Sequence, residues 1–462
     1  MAYLQIDEDR IPVGNYAFLA DVTGDEELFS KFYEAEKNIK VDYIDFAHKI
    51  RMAFEGFAVL EECKRRKGLE EYADSEVEEI KEGIIEEIKQ PASLLNYKGI
   101  VISLCDGRET EFKEMLVKYS FLKANAYEEE SIRRFKAFIR FLYAFGSESS
   151  HENVKSEEKY IPNKENCIRV AGAFHDFLGI YYGVIKKYDS TLIPIRDYVA
   201  VPKAVVEKIG MTLDVGKSLF VKEKRGKIGF YIFSSDIDSI SDGQRRDIDT
   251  ISKLWDENFE DPSNVIRQVE SINGSKGDYR FQVYSLPGRP LRLTKEFVDT
   301  LSIQDRKDII AGLCRGIESL HNYDSPMYHR NINPDAFYIF NVKGKYKPLL
   351  AKFDCTKDND NASFTVYQNV EKKALNQNTN VFFAPEVISS QMGIGVDWEK
   401  ADIYSLAKTS LFILTGKVLD TIDDYDVSEE IDDELLLILM EMMDMDSTKR
   451  ANIEDLIKIL YT

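Results

Sequence analysis

The stretch Tyr328-His329-Arg330-Asn331-Ile332-Asn333-Pro334-Asp335-Ala336-Phe337-Tyr338-Ile339 decides how this chain is read. A basic pair, His329 and Arg330, leads into two neutral amides, Asn331 and Asn333, with Ala336 close behind. Asn has nearly the shape of Asp but no charge, so Asn331 cannot take up a proton at neutral pH. Ala336 has no oxygen to offer a metal, and Asn333 brings no charge to a phosphoryl group. Downstream follow Phe353-Asp354-Cys355, Ala384-Pro385-Glu386, Asp402-Ile403-Tyr404-Ser405-Leu406 and, near the end, Arg450.

In order and spacing, these segments resemble the C-terminal lobe of a eukaryotic-like protein kinase. They correspond to its H-R-D-L-K-P-E-N loop, D-F-G, A-P-E, D-x-x-S-L and closing arginine. The resemblance covers about 200–462 and is specific from about 281 onward. It implies that the family's catalytic Asp is Asn331 here, its loop Lys Asn333, and its metal-binding Asn Ala336. Asp354 stands where the family holds a metal, with Cys355 in place of glycine, whose backbone angles Cys reaches only with strain. Kinase chemistry is mostly positioning and charge neutralisation. Losing one well-placed electrostatic group costs about 10²–10³ in rate. Three such losses imply a loop kept as a turn, held by His329 and Arg330. Glu386 and Arg450 match the pair that locks the family's activation segment, and Asp402 matches the aspartate that steadies the loop backbone. Braces without reactive groups imply a pseudokinase.

Ahead of that lobe the pattern is strand-rich. Lys217–Lys224 and Lys227–Ser235 flank Arg225-Gly226 and read as a hairpin with glycine at its turn. Residues 243–255 read as a helix and 279–286 as a further strand; from 294 the reading is mostly helical. The family's glycine-rich loop falls on 210–216, where only Gly210 and Gly216 remain as cofactor-binding candidates. Asp214 between them would repel phosphate. The family's strand lysine falls at about Phe233, so aromatics would fill the nucleotide cleft. Lys222, Lys224 and Lys227 lie nearby as displaced alternatives.

Residues 1–187 read as helices. Ile44, Ala47, Ile50, Phe54, Phe57 and Leu60 recur close to the helical period. Phe135, Phe138, Ile139 and Leu142 do the same, as do Val170, Phe174, Phe177 and Ile180. The small polar run Gly146-Ser147-Glu148-Ser149-Ser150 reads as a helix stop. Asn15-Tyr16-Ala17-Phe18-Leu19, Glu34-Ala35-Glu36-Lys37, Lys49-Ile50-Arg51-Met52-Ala53-Phe54-Glu55 and the segment from Phe145 to His151 together resemble HEPN-type helical domains of prokaryotic defence and restriction proteins. Active members use an R-x(4–6)-H pair, usually across a dimer. Here the histidine would be His151, and the nearest preceding arginine, Arg140, lies outside that spacing. The resemblance therefore implies an inactive HEPN-like bundle, with His175 packed or on the surface.

Composition agrees with a folded chain: 44% hydrophobic and 12% aromatic residues suffice for packed cores. No run of about 18 uncharged apolar residues suggests a membrane span. Five cysteines without a Cys-x-x-Cys pair fit a reducing cytoplasm. A net charge of −20 disfavours binding to nucleic acid. The expectation is an α+β chain: an all-helical HEPN-like bundle over 1–187, a small β-rich lobe with its connector over 188–290, and a large helical lobe over 291–462. It would act as a cytoplasmic regulatory or scaffold protein in prokaryotic defence or stress signalling. A protein partner is expected, and homodimerisation through the helical half. No cofactor is expected; the alternative is ATP with Mg held at Asp354 without turnover. Two other readings stay open, a HEPN ribonuclease toxin using Arg140 and His151, and an atypical phospho- or nucleotidyl-transferase using Asp354.

Overall fold

Asp42 starts α3 (Tyr43–Lys67), the longest helix among the described residues. Its carboxylate accepts from the amides of Ile44 and Asp45, and Gly68, at φ +65°, ends the helix. The computed structural model describes residues 1–462 apart from 25, 69–74, 120–127, 151–161, 210, 212, 214–216, 236–241, 256–263, 275–279, 359–379, 391–394, 419–430 and 462. The chain is a mixed α+β protein with several small antiparallel sheets. It divides into two units, one formed by Met1–Pro202 with Asn273–Tyr279 and a second formed by Lys203–Ile272 and Arg280–Thr462.

The first unit is not all-helical. It opens with an antiparallel hairpin, β1 (Tyr3–Ile6) and β2 (Asp9–Pro12). Leu4, Ile6 and Ile11 bury its inner face, and Asp7 turns the chain at φ +50°. The turn has no glycine to announce it, which is why a helical reading passed over it. The helices α1 (Phe18–Thr23), α2 (Glu26–Glu36), α4 (Ser75–Lys89), α5 (Tyr97–Leu104), α6 (Lys113–Lys118), α7 (Glu128–Ser150) and α8 (Lys164–Tyr181) complete the unit with α3. Its core is aromatic: Phe54 and Phe57 of α3 meet Phe174 and Phe177 of α8 edge-on, at 5.8 and 5.7 Å between ring centroids. Each fully buried Phe contributes about 1.5–3 kcal/mol.

Gly146 does not stop α7, which continues to Ser150. A Cβ at that position would lie 2.4 Å from the carbonyl oxygen of Ala47 and 2.4 Å from Cβ of Arg51. The glycine lets α7 and α3 approach closely, so tertiary packing outweighs its low helix propensity. The connector after α8 belongs to the same unit. Asn15 donates to the carbonyl of Asp189 and accepts from its amide, at 2.9 and 2.8 Å. Asn15 also donates twice to buried Glu36, and burial raises the pKa of that carboxyl to about 7.

In the second unit, β3 (Lys217–Lys224) and β4 (Lys227–Ser235) pair through Arg225 and Gly226, at φ +54° and +72°. Both angles are positive, as a tight hairpin turn requires. The strands run β3-β4-β6-β5 across one sheet, with β5 (Arg267–Asn273) at the edge among the described residues and β6 (Arg280–Leu286) inside it. α9 (Lys203–Lys208) precedes β3, and α10 (Asp242–Leu254) follows β4.

The later part of the chain, read as mostly helical from 294, also holds short strands. β7 (Pro290–Leu291), β9 (Phe337–Val342) and β10 (Lys345–Leu350) form a small sheet, and β8 (Met327–Tyr328) pairs with β11 (Lys357–Asp358). Lys343 and Gly344, both at positive φ, make the β9–β10 turn. The helices α11 (Lys295–Val298), α12 (Ile303–His321), α13 (Pro385–Ser389), α14 (Trp398–Thr415), α15 (Asp433–Met442) and α16 (Ile453–Leu460) follow. Ser302 and Asp305 cap α12 reciprocally, and Gly416 at φ +68° ends α14. No helix among the described residues is long and apolar enough to cross a membrane.

Candidate functional site

The Tyr328–Ile339 segment is anchored from α14. Asp402, 1% exposed, accepts from the backbone amides of His329 at 2.7 Å and Arg330 at 2.8 Å, and lies 3.2 Å from Nε2 of His321. Arg330 sits at φ +62°, a left-handed conformation that costs a non-glycine residue about 1–2 kcal/mol. The two bonds from Asp402 hold it there. The Arg330 guanidinium stacks 4.1 Å from the Trp398 ring, and burial lowers its pKa to about 10. His329 is fully buried, with Nε2 3.0 Å from the carbonyl of Ala351. A carbonyl only accepts, so the network assigns the proton to Nε2.

Beyond Arg330 the loop turns on itself. Asn333 donates through Nδ2 to the carbonyl of Asn331 at 2.9 Å and to its side-chain oxygen at 3.1 Å. Oδ1 of Asn333 accepts from the amide of Asp335 at 2.9 Å. Asn331 and Asn333 are 7% and 5% exposed, so the Asn331 side chain faces its neighbour rather than solvent. Ala336 is buried, and its carbonyl accepts from the amide of Ala351 at 2.9 Å.

Asp354 lies in a single 3₁₀ turn, Phe353–Cys355. The strain expected at Cys355 does not arise, because the left-handed residue is Lys352, at φ +61°. The turn is held from α10. Asp247, 1% exposed, accepts from the Phe353 amide through Oδ1 at 2.7 Å, and its Oδ2 lies 2.6 Å from Nζ of Lys217 on β3. Arg246 donates through Nε to the carbonyl of Asp354 at 3.0 Å. The two ends of the Asp247 carboxylate thus join a strand lysine to the Phe353–Cys355 turn.

Sequence reasoning missed Lys217, Asp247 and Arg246. It set the strand lysine near Phe233, which pairs with Ser218 and points to the opposite face from Lys217. Phe233 packs on Phe220 with 4.2 Å between centroids. Lys224 and Lys227 are exposed at the hairpin end. One signal was present: Asp247 shares a helical stripe with Ile251 and Leu254, and an acid on an apolar stripe requires a buried partner.

Next to the loop, Met211, Leu291, Leu293, Asp335, Tyr338 and Lys352 help line a cavity of about 20 Å³. That is room for about one water. No nucleotide fits in it as bounded by the described residues. Arg292 and Asp335 lie 3.7 Å apart beside it. Gly210 and Gly216 lie outside the described residues. Among those residues no group of three or more His, Cys, Asp or Glu side chains could hold a metal ion.

Glu386 and Arg450 form a two-pronged ion pair at 2.6 and 2.8 Å. Arg450, whose side chain is fully buried, also donates to the carbonyls of Asp444 and Lys400, both at 2.9 Å. Such geometry suits a planar guanidinium.

In the first unit, Arg140 is exposed on α7, and His151 lies outside the described residues. His175 is 1% exposed and ringed edge-on by Tyr16, Phe18 and Tyr188, a packed core position. Compared with models of known protein families and with curated proteins, the chain finds no match.

Proposed function

We infer that this chain is a catalytically degraded protein kinase-like regulatory or scaffold protein that carries a HEPN-like helical domain. The observation that carries this reading is the division within one loop. Asp402 holds the backbone of His329 and Arg330, while Asn331 and Asn333 are buried against each other. Phosphoryl transfer in this family needs a carboxylate facing the substrate hydroxyl and an oxygen from the loop on a metal. Asn331 and Ala336 supply neither. The Glu386–Arg450 pair favours the same reading. The role in prokaryotic defence or stress signalling comes from the resemblance of the helical half alone, which is an argument by analogy.

Lys217 favours a second reading, an atypical ATP-dependent transferase using Asp354. A strand lysine paired with a helix acid is the family's device for gripping nucleotide phosphates. Here the pair is Lys217 and Asp247, with the lysine on the first strand of the hairpin.

Thermal unfolding of the full chain with ATP, with and without magnesium or manganese, followed by an assay for transfer from ATP, separates the two. Ligand at about 100 times its Kd stabilises a protein by roughly 2.7 kcal/mol. The scaffold reading expects no change in Tm at millimolar ATP. A metal-dependent rise, lost in both Asp354→Ala and Lys217→Met, would show that ATP is held there, and transfer of phosphate or nucleotide from ATP by the parent, lost in the same variants, would replace the scaffold with the transferase.

A further inference from the structure

The second unit also holds a groove of about 500 Å³ beside β5, sharing no residue with the 328–339 loop or the Phe353–Cys355 turn. Trp255, Val269, Pro287 and Leu349 give it apolar lining, and Arg267 and Lys347 give it positive charge. Among the described residues that line it none is acidic, in a chain with 81 acidic and 61 basic residues.

The groove is held open by its own bonds. Asn264, at φ +58°, donates through Nδ2 to the carbonyl of Pro348 at 2.8 Å, and the Ile266 amide donates to Leu350 at 3.0 Å. Trp255 donates through Nε1 to the carbonyl of Ile266 at 2.8 Å, which fixes its indole. Gly312 on α12 makes room for this arrangement, since a Cβ there would lie 2.5 Å from Cγ of Pro348. The Arg267 guanidinium lies 5.0 Å from the Trp255 ring, so the cation and the aromatic face form one platform. β5 is the edge of its sheet among the described residues, with Arg267, Val269 and Ser271 exposed on alternate positions. A sheet edge offers backbone donors and acceptors to an added strand.

We propose that this groove binds an extended acidic segment of a partner protein, aligned along β5, with an apolar side chain against Trp255 and Leu349 and carboxylates meeting Arg267 and Lys347. Charge complementarity selects an acidic occupant, and the apolar lining with the strand edge selects a peptide. A nucleic acid fits less well, because it has no peptide backbone to pair with the edge of β5. The inference goes beyond the scaffold reading and does not depend on it. The ATP titration bears on that reading and leaves the groove untouched.

The test pans a random library of short displayed peptides against the full chain, with the Arg267→Glu/Lys347→Glu double variant as counter-target. Both side chains are exposed, so the double variant should unfold at the same temperature as the parent. The expected result is enrichment of sequences with acidic residues flanking an aromatic or aliphatic one. A synthetic peptide of that sequence should bind the parent at least about tenfold more tightly than the double variant, as loss of two charge contacts implies. N-methylation of its alternate backbone amides should abolish binding. No enrichment over the double variant, enrichment of sequences without acids, or binding indifferent to N-methylation overturns the proposal. So does tighter binding of single-stranded RNA than of any selected peptide.

Discussion

The two ends of the 328–339 segment are held by different means. At the first end a charged group does the holding: buried Asp402 takes two backbone amides and sits beside His321. At the second end the loop is closed by neutral amides, Asn331 and Asn333, bonded to each other. The same contrast separates Glu386–Arg450 and Lys217–Asp247, which join distant segments through charge, from the Asn331–Asn333 turn, which closes through neutral amides. A buried charge is retained where it braces the fold. Between Asn331 and Asn333 the bonds run between neutral groups.

The contrast can be broken most severely at Asp402. Asp402→Ala leaves two buried amide donors without an acceptor and frees the strained Arg330 backbone. The expected loss is about 3–5 kcal/mol. Both tryptophans of the chain, Trp255 and Trp398, lie in the second unit, and Trp398 stacks under Arg330. Urea unfolding followed by their fluorescence therefore reports this unit directly, and a midpoint like the parent's would show that Asp402 is no brace. Lys217→Met should cost about 3 kcal/mol by leaving a buried carboxylate unpaired. Adding Asp247→Asn, which keeps an acceptor for the Phe353 amide, should recover part of that loss. If the double variant is no more stable than Lys217→Met alone, Lys217 and Asp247 are not energetically coupled. The smallest effect belongs to the neutral end. Asn331→Ala removes one acceptor of Asn333 and leaves the Asn331 carbonyl in place, for a loss of about 1 kcal/mol. A loss as large as that of Asp402→Ala would erase the distinction between the two ends.

Much of the local structure was legible in the sequence, because local chemistry decides it. Arg225-Gly226 marked a hairpin that the positive φ angles require, and the α3 and α8 stripes marked faces that bury their phenylalanines. The β1–β2 hairpin was not legible, since its turn contains no glycine or asparagine, and the β9–β10 hairpin was overlooked although Gly344 signals it. Gly146 misled for a different reason. Glycine ends helices often, but here it serves the contact with Ala47 and Arg51, residues far away in sequence.

By itself the sequence determined which chemistry the 328–339 loop lacks. Side-chain type fixes charge and ligand capacity whatever the packing, so Asn331, Asn333 and Ala336 could be read without a structure. Only the tertiary structure decided that Asn331 is buried against Asn333, that Lys217 meets Asp247 across thirty positions of chain, and that Asp247 also holds the Phe353 amide. Those pairings depend on which strand face turns toward which helix, and on burial that makes a missing partner costly. No local propensity encodes either of them.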